Sequence, residues 1–597
     1  MMLRSKISKL RNKAGFGGGN QKQKSNPYGR LDDAYDSSDT LFNEPLSTPS
    51  NSQYQKTSKW LESNDDDDLD DSITSHVENL FPLSEPKTEE NRSHNYQESV
   101  SLELESKASW ASSSQVEEII DAGPPILPNY EDAEEQFLEE YEDYFEHLAV
   151  DNVRKEQYPK LELQRIVYLD YANFSLYSQY QVEQHMRVLL EEGPCLGSAA
   201  LSNSSAIHLR NHVSEVQEQL LRLFNTSKNE YAIIFTTGFA AGFRLFGEAY
   251  PFQKNQTLLL CQDNHEAVKH VASSASKQGT RPIITAVRES DLCIESGELR
   301  KQLLKQTWQG GGRGVYIYPA QSCLSGVRHS LNWIAEAQQN GWHVLIDVST
   351  YLPTGSLNLS IYQPEFVLGS LHHMLGYPSG MGYLLVKRQI FSIQRTRFTD
   401  SLKLVLNRSM SEGGDCHIVC EDDSISLLSF AALEFGLEHL EMVGLERVQK
   451  RVTCLLAWLV QVLRHLRHKV DESKPLVQVY GSLSTKNRGN IVTFNLVDST
   501  GQVFPPTIVQ RMAEKSNIIV SAGYFGNPGL AYMLGKPLEK VLDLTIFNQP
   551  PNFSAVRLSL GLISTFQDVY RFAQFLSLFR DEEYLSGEAM DFIEESK

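Results

Sequence analysis

The sequence is short of cysteine, of long apolar runs and of basic charge, and each shortage removes a class of function. Its seven cysteines, at positions 195, 261, 293, 323, 416, 420 and 454, include no CxxC pair and no zinc-like spacing. That pattern excludes a disulfide framework and suits a reducing compartment. No apolar stretch is long enough to span a bilayer. Lysine and arginine total 55 against 75 acidic residues, a net charge of −20. A phosphate-backbone surface needs clustered basic side chains, so nucleic acid is excluded as the main partner. A cytoplasmic location is expected. The first thirty-one residues hold no acid, however, and "MLRSKISKLRNK" sets Leu3, Ile7 and Leu10 on one helical face, which would also suit an organellar transit peptide or a membrane-surface anchor.

What is present is ordinary for a globular chain: 597 residues, 41% apolar and 22% charged, enough for two or three folded units. Residues 1–125 are rich in Ser, Asn, Gln and acid, with the run "NDDDDLDD" at 64–71. Such a segment buries too little apolar surface to offset its ordering entropy and is expected to be disordered. Residues 126–160 read as an acidic amphipathic helix and linker. Phe137, Tyr141, Tyr144, Phe145 and Leu148 recur at helical spacing over 131–148, as a stripe that docks on the folded body. From 161 to 415, short continuously apolar strands ("YAIIFTT", "RPIITAV", "GVYIYPA", "WHVLIDVS") alternate with amphipathic helices ("AIHLRNHVSEVQEQLLRLFN", capped by Asn203 or Ser204, and "SLNWIAEAQQN"). This predicts an α/β body with a mainly parallel sheet covered on both faces. Residues 416–597 read as a smaller α+β domain, with long helices near 424–441 and 444–468 and strands in "LVQVYG", "NIVTFNL", "NIIVSAG" and "AVRLSLG".

The order "YLDYANFSLYS", "IIFTTGFAA", "QDNHEAV", "YPAQSCLSGVRHSLNWI", "GWHVLIDVSTYLPT" and "FVLGSLHHMLGYPSGMGYLLVKR" resembles the class V aminotransferase family. Within it the likeness is to the cysteine-desulfurase-like domain of molybdenum cofactor sulfurases of the stand-alone plant type, over about 165–580. The resemblance implies a fold-type-I scaffold for pyridoxal 5′-phosphate (PLP), and a homodimer, since family sites form between subunits. It leaves no room after Lys597 for the further domain of full-length sulfurases.

PLP wants hydroxyls and backbone N–H groups for its phosphate, a carboxylate at its pyridinium nitrogen, a ring stack, and a primary amine for its aldehyde. By resemblance, Asp347 at the end of "HVLID" is the pyridinium carboxylate and His265 the ring-stacking imidazole. Thr237 and Gly238 fall in the family's phosphate turn, and Ser370 and His372 fall where the family binds the cofactor. The departures come together. Ala240 replaces a threonine of the phosphate turn, and Cys323 an asparagine. The S-x-x-K motif reads Ser370-Leu371-His372-His373, so the Schiff-base lysine is His373, which has no primary amine. The segment that supplies the family's persulfide cysteine reads "SAGYFGNPGLA" from Ser521 to Ala531, its cysteines gone and its N-P-G turn kept. Arg557 matches the arginine that grips a substrate α-carboxylate; a domain-joining ion pair is the other reading. Cys416 and Cys420, among acids, read as ordinary thiols, and no metal site is expected. These losses predict a catalytically degenerate protein acting by binding or regulation. The alternative is an active transferase or sulfurase that holds PLP non-covalently with His373 as acid/base.

Overall fold

In the computed structural model the described residues are 127–191, 207–308, 314–390, 419–420, 426, 428–535, 544–547 and 551–581. The expectations for residues 1–125, for the Asn203 or Ser204 cap and for Cys416 lie outside them, as does the side chain of Cys420.

The apolar runs form one eight-stranded sheet. Its strands are β2 (Tyr231–Thr236), β3 (Thr257–Cys261), β4 (Arg281–Thr285), β5 (Val315–Pro319), β6 (His343–Asp347), β7 (Phe366–Ser370), β8 (Gly382–Lys387) and β9 (Val419–Cys420), in spatial order β4-β3-β5-β6-β7-β8-β2-β9. All pairs are parallel except those that β8 makes with β7 and β2. Helices cover both faces, and the pleat divides each strand between two cores. Tyr231, Ile233, Phe235, Tyr316 and Tyr318 enter one cluster, while Ile234, Val315 and Ile317 enter the other. Burial on both sides is why these strands read as unbroken apolar runs.

Two registers position the site. Thr236 at the end of β2 and Ser370 at the end of β7 both pair with Gly382 at the start of β8. Asp347 at the end of β6 lies between Pro319 and Leu368. Gly382 has no room for a side chain: a Cβ would lie 2.9 Å from Thr236 Oγ1 and from the Gly238 carbonyl carbon. The chain after Thr236 and the chain after Ser370 therefore start from opposite sides of Gly382, held in place by backbone pairing through β8.

The C-terminal part carries an antiparallel sheet of β10 (Val477–Tyr480), β11 (Ile491–Leu496), β14 (Ala555–Ser559) and β13 (Ser521–Gly523), in that order. "RIVYLD" contributes β1 (Val167–Tyr168), which pairs in parallel with β12 (Ile518–Ile519), tying the start of the body to its end. The helix expected over 131–148 is broken. It runs Tyr130–Glu140, is interrupted at Tyr141 (φ −118°, ψ 76°), and resumes as Glu142–Phe145 and Ala149–Gln157. Glu139, Glu140, Glu142 and Asp143 place acid at a helix C-terminus, against the dipole and against one another, and no base offsets them there. The aromatic stripe still docks. Phe137 is fully buried and stacks on Phe566 at 4.4 Å, and the Arg451 guanidinium lies 4.3 Å over the Tyr144 ring. Arg154 donates to both oxygens of Asp568, at 2.6 and 3.0 Å, with both side chains buried.

Candidate functional site

The candidate residues gather where strands β2, β3, β5, β6 and β7 end, the edge at which open parallel sheets place ligands. Asp347 closes β6. It accepts the Ser349 backbone N–H at 2.9 Å, and burial, with Asp263 nearby, pushes its carboxyl up to about 6. After β2 the chain turns through Thr237 and Gly238 (φ +132°) into the helix Phe239–Ala249, whose N-terminus no side chain caps. Its first backbone N–H groups therefore point from an uncapped helix start, the arrangement that receives anions. Across Gly382, Ser370 Oγ lies 2.8 Å from His372 Nδ1. His372 is lowered from its ordinary range by burial.

His265 follows β3 and caps the next turn: its Nδ1 accepts the Ala267 N–H at 3.1 Å, which leaves the proton on Nε2. Burial lowers it to about 4, and the Phe239 ring meets it edge-on at 5.0 Å. His373 opens the turn after β7 beside His372, ring centroids 4.3 Å apart. Burial lowers its imidazole to about 3, helped by His372, Arg557 and His265, so these groups share one electrostatic neighbourhood. Its Nδ1 is buried with no hydrogen-bond partner among the described residues. A buried ring nitrogen of this kind is able to bond a polar group of a ligand. Cys323, half-buried after β5, is pushed up to about 12 by burial and by Asp263. Such a thiol is held neutral, and its reactivity is suppressed as long as it stays covered.

Arg557 is 2% exposed. Its guanidinium donates to Cys323 O and to Asn173 Oδ1, both at 2.7 Å, and faces Asp170 at 3.7 Å. The structure thus places it both beside His373 and in a chain-joining contact.

Sequence reasoning passed over a hub beneath these residues. Asp263, fully buried, accepts from Ser322 Oγ at 2.7 Å and from Asn527 Nδ2 at 2.6 Å, and pairs with His329 Nε2 at 2.7 Å. It welds the loops after β3 and β5 to the N-P-G turn. The one clue was its place two residues before His265.

A family profile described as Aminotransferase class-V matches residues 167–572. The molybdenum cofactor sulfurase of Homo sapiens is 30% identical over 455 residues, which are 69% of this chain and 49% of that protein. The molybdenum cofactor sulfurase of Oryza sativa subsp. japonica is 27% identical over 476 residues, 72% of this chain and 57% of that protein. The chain therefore spans about half the length of these curated relatives. Among solved structures, an apo cysteine desulfurase from Thermococcus onnurineus superposes with a TM-score of 0.55 at 16% identity, covering 72% of this chain and 97% of that one. A cysteine desulfurase from Escherichia coli gives 0.54 at 15% identity, with 72% and 98% covered.

Proposed function

Since the chain belongs to the class-V aminotransferase family and has the fold-type-I body of its PLP-dependent transferases, we propose that it is a catalytically degenerate member. It acts by binding, and holds PLP or a close phosphorylated pyridine without a covalent link. The observation that carries this is the buried, neutral His373 imidazole with its orphaned Nδ1, at the position that the S-x-x-K resemblance assigns to a lysine amine.

The non-covalent donors fit such a ligand. Thr237, the uncapped helix start after Gly238, Ser370 and His372 would hold the phosphate. Asp347, its carboxyl raised to about 6 by burial, would face the ring nitrogen, and His265 would lie against the ring. The covalent anchor does not fit, because an imidazole cannot form an imine. Bound to a lysine, PLP supplies an electron sink; here the chain's groups bind and orient it. An imidazole held near 3 takes up no proton at neutral pH, which weighs against His373 as general base and so against the active-enzyme alternative. The expected homodimer belongs to the same proposal. No helix among the described residues is long and apolar enough to cross a membrane.

The test is to mix purified protein with PLP, reduce with borohydride, denature, and look for cofactor retained on the chain, with His373→Lys alongside. Wild type is expected to gain thermal stability from PLP by ligand linkage yet keep none after denaturation, while the lysine variant turns yellow and keeps it. Covalent retention by wild type, or no stabilisation by PLP, would overturn the proposal.

A further inference from the structure

The turn that in this chain reads Tyr524-Phe525-Gly526-Asn527 lies over the site and is fastened at every residue. Tyr524 hydroxyl donates to Glu266 Oε2 at 3.1 Å, and the Glu266 backbone N–H donates to Gly526 O at 2.7 Å. Asn527 Nδ2 donates to both the carboxylate and the carbonyl of Asp263. Cys323 Sγ donates to Phe525 O at 3.4 Å. Phe525 lies with its ring 4.1 Å from the Arg557 guanidinium, although it must adopt φ +55° to do so. A non-glycine residue in that region is held there by its surroundings. Gly526, at φ +65°, is pressed so close to His265 that a Cβ would lie 2.4 Å from Nε2.

One turn therefore covers Arg557, the group that would meet the amino-acid half of a ligand, and abuts the outer edge of His265 beside it. Arg557 has its guanidinium face under Phe525, its Nη atoms engaged by Cys323 and Asn173, and almost no exposure. His265 has its Nε2 edge under Gly526. The phosphate side, at Gly238, Ser370 and His372, makes none of these contacts. Gly380, on the loop leading to β8, would carry a Cβ with nothing within 4 Å.

We propose that residues 524–527 act as a built-in occupant of the amino-acid half of the site. The site then accepts a phosphorylated pyridine alone and rejects one that bears an amino-acid substituent, unless the turn is displaced. The choice of ligand rests on the reading under Proposed function; the seating of the turn does not.

The two are tested separately on full-length protein. First, with no ligand present, the rate at which iodoacetamide alkylates Cys323 is followed by peptide mass spectrometry in wild type, Phe525→Ala and Gly526→Ala, each checked for cooperative melting. Freeing the turn exposes the thiol, and loss of one desolvated cation–π contact predicts a rise of roughly tenfold in Phe525→Ala. Gly526→Ala reaches the same end by steric collision with His265. Equal rates in all three proteins would overturn the seating of the turn. Second, affinities for PLP and for phosphopyridoxyl-alanine, its stable amino-acid adduct, are compared by fluorescence. Wild type is expected to prefer PLP by at least roughly tenfold, the same factor the contact sets, and Phe525→Ala to narrow the gap. Adduct binding by wild type as tight as PLP binding would overturn the exclusion. If wild type binds neither, the PLP reading falls, and the alkylation rates still decide whether the turn is seated as described.

Discussion

Replacing Asp347 by Asn separates the cost of the site from its use. In the fold the Asp347 carboxyl is pushed from 3.8 to about 6 by burial, with Asp263 adding to the push. The folded state therefore holds its proton more tightly than the unfolded chain does. Stability from this group is complete below the unfolded value near 4 and falls as pH rises through about 6; above that the fold bears the full cost of a buried charge. Two pH units correspond to about 3 kcal/mol. Asparagine keeps the shape, still accepts the Ser349 N–H through its carbonyl oxygen, and carries no charge. Asp347→Asn should therefore melt higher than wild type at pH 7.5, by roughly 3 °C for a body of this size. The advantage should shrink to nothing towards pH 4. The assay is differential scanning fluorimetry of ligand-free protein across pH 4–8, repeated with PLP. The variant should lose the PLP-induced shift while gaining apo stability. A variant less stable than wild type at pH 7.5, or an advantage independent of pH, would refute the reasoning.

Two further outcomes follow from contacts already described. Arg154→Met strands the buried Asp568 carboxylate, which then keeps, among the described residues, only Thr565 as hydrogen-bond donor, and should cost about 3–5 kcal/mol in urea unfolding; a loss below about 1 kcal/mol would show the pair to be dispensable. Gly382→Ala forces a methyl against Gly238, Thr236 and the Gly369 carbonyl, and should cost about 1–3 kcal/mol while abolishing PLP stabilisation, measured by the same thermal assay; retained stabilisation would mean the phosphate turn does not depend on that register.

The sheet was legible because strands buried on both faces carry continuous apolar runs, as β2, β5 and β6 do. β3, "TLLLC", was passed over: four consecutive apolar residues with no alternation fit a buried helix as well as a strand. The long helix read over 131–148 kept its hydrophobic period but not its continuity, since period reports which face is buried and says nothing of charge crowding at Tyr141. In the site, Asp347 and His265 were legible because each ends or follows a strand in a recognisable motif. The Asp263 hub was not, because Ser322, His329 and Asn527 converge from up to 264 residues away, and no local pattern records a long-range hydrogen bond. Nor does the surviving N-P-G turn reveal that Phe525 covers Arg557.

The clasp between the chain's early and late parts also sets an order of events during synthesis. Arg154 meets Asp568 across 414 residues of sequence, and Phe137 waits for Phe566. A ribosome adding about 5–20 residues per second leaves the early partner alone for about 20–80 s. During that time Phe137 lacks the Phe566 ring that covers it and is open to chaperones. The nascent chain cannot close its body until the helix Phe566–Ser577 has left the exit tunnel.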